Sequence, residues 1–247
     1  MSDPGLIAAL ESRLVNAWPS LEVQVCEGWL LRFARGYSKR ANSASPLVPG
    51  AALDDALIDH IVERFRDQGL PAIFRLTGLE APDTDARLEA RGLAAFEPSL
   101  TMIAPIHPEA EPDPSVAITP TPNLPWVREA AASYGGDKDN AEILMQIVSR
   151  LRQPAAFATL SLDEQPAAWG LGVAERGFVG LYDLVVAPDL RGLGLGRQLV
   201  LNLMAWGRAQ GASQAYLQMR AENEVAHALY LSLGFREAYR YAHRFMR

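Results

Sequence analysis

Residues 191–196 read Arg-Gly-Leu-Gly-Leu-Gly, between an apolar run at 181–186 and an amphipathic run at 195–209. Few folds use a strand that breaks into alternating glycines and then opens a helix. Without Cβ atoms, the backbone of such a turn can come within hydrogen-bonding distance of a ligand. Its freed N–H groups lie at the positive end of the helix dipole, an arrangement suited to phosphate. The chain is therefore expected to carry a strand–loop–helix unit that binds a phosphorylated ligand.

Composition limits the partners. A net charge of −6 over 247 residues disfavours general binding to nucleic acid or anionic membrane. The single cysteine, Cys26, cannot form an internal disulfide and reads as a small core residue. No basic-then-apolar leader and no apolar run of transmembrane length is present, so a cytoplasmic location is the expectation. His60, His107, His227 and His243 show no metal-ligand spacing with cysteine or acids, so no metal is expected.

Seven of the seventeen prolines lie between Pro105 and Pro125, which reads as a linker with a boundary near 106–115. The two halves on either side echo one another. The interval from Gly92 to Gly234 is 142 residues, and the same interval carries Gly28 to Gly170, Pro46 to Pro188 and Gly50 to Gly192. It also carries Arg66-Asp67-Gln68-Gly69 to Arg208-Ala209-Gln210-Gly211, and Leu57, Ile58 and Ile61 to Leu199, Val200 and Leu203. Markers of turns and of one helical face repeat in order, which points to duplication. In the second half the pattern predicts helices at 141–151, 194–210 and 223–233. Strands are predicted at 155–160, 167–174, 178–186, 214–219 and 237–245, with Glu175-Arg176-Gly177 as a hairpin turn. The first half predicts helices at 54–68 and 84–91 and strands at 72–76 and 99–104. The expected class is α/β (α+β), with a mixed central sheet flanked by helices in each half, over domains 1–106 and 115–247. Where the second half has its glycine loop, the first has Pro49-Gly50-Ala51-Ala52-Leu53-Asp54. An aspartate at that helix start caps the helix and would repel phosphate, so the first copy is expected to have lost the site.

Three glycine-loop classes compete. A nucleotide P-loop needs Gly-Lys-Ser/Thr at the helix start, and here it reads Gly196-Arg197-Gln198. A dinucleotide fold wants a different glycine spacing and an acid after the next strand, which instead ends Met219-Arg220. A dinucleotide-dependent oxidoreductase stays as an alternative. The third class matches twice. Residues 186–196 resemble the Arg/Gln-x-x-Gly-x-Gly/Ala pyrophosphate loop of the GNAT acetyltransferase superfamily. Asn223 to Phe235 resembles that family's Asn-x-x-Ala-x-x-Leu-Tyr-x-x-x-Gly-Phe segment. The whole chain thus resembles a tandem GNAT protein with a degenerate first copy.

The resemblance implies transfer of an acetyl group from acetyl-CoA, as co-substrate, to an amine of a small molecule or peptide. It implies that amides of Arg191, Gly192, Leu193, Gly194, Leu195, Gly196 and Arg197 hold the CoA pyrophosphate, with Arg191 and Arg197 either adding charge or merely solvated. Leu184, Val185 and Val186 would present backbone to the pantetheine arm while their side chains serve the core. Tyr230 would be the general acid that protonates the departing thiolate, against a plain reading as a core aromatic. Asn223 reads equally as a CoA contact or a helix cap. Asp183 is the candidate general base, ahead of Tyr182, Glu175 and His243. The expected partners are the amine substrate and, in assembly, a second copy as a homodimer. A non-catalytic acyl-CoA sensor is the alternative from a different class.

Overall fold

The computed structural model describes residues 3–107, 111–132 and 138–246; part of the proline-rich linker, 108–110, lies outside them. The chain divides into two compact units. The first comprises Met1–Thr101, Met219–Glu224 and Glu237–Arg247, the second Met102–Gln218 and Val225–Arg236.

The first unit opens with helix α1 (Pro4–Ala17), started by the Asp3 carboxylate accepting from the Gly5 amide at 2.8 Å and by proline in the first turn. Strands β1 (Glu22–Cys26) and β2 (Trp29–Phe33) form a hairpin whose turn places Glu27 and Gly28 at positive φ. The sheet order is β1-β2-β3-β4-β11, with β3 (Ala44–Pro46), β4 (Ile73–Leu76) and β11 (Arg236–Phe245). Strand β4 runs parallel to β3, and β11 runs antiparallel to β4 from Ala242↔Leu76 to Phe245↔Ile73. Helix α2 (Asp55–Asp67) lays Leu57, Ile58, Ile61 and Phe65 on a core with Trp29, Leu31, Phe33 and Phe74. Helix α3 (Thr84–Ala90) and strand β5 (Ala94–Pro105) follow, and residues 102–105 of β5 belong to the second unit.

In the second unit the order is β6 (Val116–Thr119), β7 (Ala155–Leu162), β8 (Gln165–Glu175), β9 (Phe178–Val186) and β10 (Gln214–Arg220). All pairings are antiparallel except β9 with β10, which is parallel. Helices α4 (Leu124–Ala132) and α5 (Lys138–Val148) lie between β6 and β7, while α6 (Leu195–Ala209) links β9 to β10 and α7 (Glu224–Ser232) follows. Each unit is thus a mixed sheet flanked by helices. Helix α5 stops at Val148 rather than 151 because Arg150 and Leu151 donate to Ile147 and Val148, turns that leave the helical ladder ahead of Pro154. The interval of 142 residues carries α2, β4, α3 and β5 onto α6, β10, α7 and β11, with first residues agreeing to within two. No helix among the described residues is long and apolar enough to cross a membrane.

Candidate functional site

Two features of β9 shape the second unit's site. Tyr182 pairs with Leu171 and Val185 with Trp169, so Asp183 and Leu184 together face the single residue Gly170. This is a β-bulge, and Asp183 takes the left-handed conformation at φ 46° that aspartate tolerates better than most residues. Gly170 leaves room for it: a Cβ there would lie 2.9 Å from the end of the Leu184 side chain, which would have to shift. The second feature is where the parallel ladder stops. Pairing with β10 reaches Leu181↔Leu217 and, among the described residues, goes no further, although β9 continues to Val186. Leu184, Val185 and Val186 are half-buried; Val185 and Val186 pair with Trp169 and Ala168 of β8 on one side, and the other side is open. An extended ligand with its own amides fits such an edge.

The strand then delivers the glycine loop. Gly192 and Gly194 both sit at φ 82° with nothing within 4 Å of where a Cβ would stand. Gly194 caps α6, and the first amide held by the helix is that of Gln198, donating to the Gly194 carbonyl at 3.1 Å. Among the described residues, the amides of Gly192, Leu193, Gly194, Leu195, Gly196 and Arg197 have no hydrogen-bond acceptor. Unfilled amides in succession at a helix N-terminus form an anion-binding concavity.

Small residues fix the aim of α6. A Cβ on Gly207 would lie 2.6 Å from Val179 of β9, and one on Gly172 of β8 would lie 3.2 Å from Leu203 of α6. The helix therefore lies close against the sheet, with Leu199, Val200 and Leu203 fully buried. Arg197 donates to Ser232 Oγ at 3.0 Å, tying the start of α6 to the end of α7. Arg191 donates to the Val186 carbonyl at 3.4 Å, and both arginines are exposed.

Helix α7 supplies Tyr230. Its side chain is 8 % exposed and its ring meets Phe235 at 5.8 Å. No described residue hydrogen-bonds its hydroxyl, and burial raises its pKa to about 12. The phenol therefore keeps its proton at neutral pH. Leu229, its neighbour, stands 3.6 Å from where a Cβ of Gly196 would be, as does Val186, so loop, strand end and α7 converge. Asp183 is buried within the bulge. Asn223 precedes α7, is exposed, and donates its amide to the Arg220 carbonyl in the first unit's segment. Of the remaining base candidates, Tyr182 shares a 2.6 Å hydroxyl–hydroxyl bond with Tyr216. His243 lies in the first unit, 3 % exposed, its pKa driven down to about 3 by burial and by Arg75. Such an imidazole is too weak a base to hold an amine's proton.

The corresponding loop of the first unit differs at its start and at its helix cap. The Gly50 amide donates to the Leu79 carbonyl at 2.7 Å, Ala51 donates to Val48, and the Asp54 carboxylate accepts from Leu57. The Gly50 and Ala51 amides are engaged where their counterparts, Gly192 and Leu193, are not. Sequence reasoning missed the packing parts of Gly170 and Gly207; an isolated glycine inside a strand is the available signal for a bulge. No group of three or more His, Cys, Asp or Glu that could hold a metal occurs among the described residues.

Comparison with known proteins identifies the family. The family model described as "Probable histone acetyltransferase Rv0428c C-terminal" matches residues 5–245. The uncharacterized N-acetyltransferase YobR of Bacillus subtilis is 26 % identical over 234 residues, covering 93 % of this chain and 94 % of that one. The probable histone acetyltransferase Rv0428c of Mycobacterium tuberculosis is 29 % identical over 231 residues, covering 93 % and 70 %. Among solved structures, a GCN5-related N-acetyltransferase from Kribbella flavida superposes with a TM-score of 0.67 at 16 % identity, covering 99 % and 96 %. A tandem GNAT protein of the clavulanic acid biosynthesis pathway gives 0.62 at 14 %, covering 100 % and 89 %. These last two likenesses speak for the fold alone.

Proposed function

The chain belongs to the GNAT family of N-acetyltransferases, and from that premise we propose that its second unit moves an acetyl group from acetyl-CoA to a primary amine of a small molecule or peptide. The observation that carries this reading is the row of unfilled amides from Gly192 to Arg197 beside the open edge of β9. In this proposal the amides take the CoA diphosphate, with Arg191 and Arg197 adding charge from either side. Leu184, Val185 and Val186 pair through main chain with the pantetheine amides. The first unit is a second copy of the fold without the phosphate site, in keeping with its engaged Gly50 and Ala51 amides and the Asp54 carboxylate at its helix start.

The chemistry follows from two groups. A neutral amine attacks the thioester carbonyl, forming the C–N bond; collapse of the adduct breaks the C–S bond. Tyr230 gives its phenolic proton to the departing sulfur, and the proton shed by nitrogen passes to Asp183 or to water. Water then returns a proton to the phenolate. A phenol with a pKa of about 12 is a reluctant acid. A thiolate brought into the same desolvated place also becomes more basic than in water, which narrows the mismatch.

Release of free thiol from acetyl-CoA, measured across a panel of small and peptide amines, tests the proposal. Turnover with at least one amine is expected. CoA binding without turnover on any of them would instead identify a sensor, and tight NAD binding without CoA binding an oxidoreductase.

A further inference from the structure

The outer flank of α6 is gripped by a polar clasp built from the segment that leads into β6, all within the second unit. Gln198 donates to Asp113 Oδ2 at 2.7 Å and to Ser115 Oγ at 2.9 Å. The Asp113 amide donates to Asn202 Oδ1 at 2.6 Å, and Asn202 Nδ2 returns to the Gln198 carbonyl at 2.9 Å. Asp113 Oδ1 accepts from the Ser115 amide and hydroxyl at 2.9 and 2.7 Å. Those bonds hold its carboxyl below the usual range, so it stays ionised through the neutral region. The Ser115 carbonyl in turn accepts from Ser161 of β7 at 3.1 Å, anchoring the clasp to the sheet.

Gln198 is also the residue whose amide closes the first helical turn on Gly194. The clasp thus seizes the side chain, and through Asn202 the carbonyl, of the residue that ends the glycine loop. Close glycine contacts hold the inner face of α6, and Asp113 holds its flank. A helix fixed from two sides can neither roll nor slide, which keeps the loop amides convergent before any ligand arrives. Preorganisation of this kind lowers the cost of binding without touching the ligand.

We propose that Asp113 is a positioning residue for the diphosphate loop, acting through Gln198 and Asn202, with CoA as the ligand whose affinity it sets. The inference rests on the function proposed above. Calorimetric titration with CoA and steady-state kinetics would compare wild type, Asp113→Ala and Asp113→Asn. If one-tenth of the variant population holds the competent loop, affinity falls about tenfold. The Asp113→Ala variant is expected to show that loss, a matching rise in KM for acetyl-CoA, and kcat within about twofold of wild type. Asp113→Asn keeps one acceptor oxygen and should fall between. A folded Asp113→Ala protein that binds CoA as wild type does would overturn the proposal, because a clasp that merely starts β6 lowers the melting temperature alone. Should Asp113→Ala not fold, Gln198→Ala removes the other half of the clasp and is read the same way. If the wild type binds no CoA, the functional proposal fails on its own. Amide exchange over residues 198–202 then still decides: faster exchange in Asp113→Ala supports the clasp, unchanged exchange sinks it.

Discussion

Replacing Tyr230 by phenylalanine removes one oxygen from the second unit and leaves the rest of the packing in place. The ring keeps its contact with Phe235, and no described residue loses a hydrogen bond. Removing a buried hydroxyl without a partner changes stability at pH 7 by no more than about 1 kcal/mol. CoA affinity should be unchanged, since the loop amides and β9 are untouched. Turnover is expected to fall by about 10²–10⁴-fold, the usual loss with a general acid. The raised pKa adds a second signature. Burial lifts the phenol from 10.0 to about 12, so the native state favours the protonated form. The resulting stability is whole below pH 10 and is lost as pH rises from 10 through 12. It amounts to about 3 kcal/mol at roughly 1.4 kcal/mol per pH unit. Thermal melts at pH 8, 10 and 11 should therefore show a steeper alkaline decline in wild type than in Tyr230→Phe. Activity should show no alkaline limb from this group below pH 10. A variant with wild-type turnover would remove Tyr230 from the chemistry.

Two further outcomes follow from packing and charge. Gly207→Ala brings a helix-propensity gain of about 1 kcal/mol, but its Cβ would lie 2.6 Å from Val179. Overpacking of that kind costs about 1–3 kcal/mol; a lowered melting temperature is expected, and a raised one would show that α6 has slack. The His243 imidazole resists protonation in the folded state, with a pKa of about 3 against 6.5 when free. Its contribution to stability is intact above pH 6.5 and wanes as pH drops toward 3, on the order of 1.4 kcal/mol per unit. His243→Phe should flatten the acid side of the stability profile, and an equally steep acid decline in the variant would contradict that linkage.

Most of the second unit was readable from the chain because its signals are local. Alternating apolar residues gave β9 its bounds, 178–186, and Gly211 marked the end of α6. The loop's conformation is legible because its glycines do one physical job: Gly192 and Gly194 both take positive φ. Helices α1 and α4 were not anticipated. The buried face of α1 includes Glu11, which pairs with buried Arg75, so its apolar stripe is broken by a charge that only tertiary structure explains. The pairing of β11 with β4 joins residues far apart in sequence, and nothing local encodes it. The bulge at Asp183 and the role of Gly170 depend on register, which hydrophobic alternation does not fix. The same holds for the clasp at Asp113, whose partners lie 85 and 89 residues away.

The central claim is that the amides of Gly192 through Arg197 receive a diphosphate. Following those six resonances by ¹⁵N-edited NMR during a CoA titration tests it most directly. Large downfield amide-proton shifts at these positions are expected, with Gly50 of the first unit unmoved and pantetheine, which lacks the diphosphate, failing to reproduce them. Saturation with CoA while the loop amides stay where they were would contradict the account.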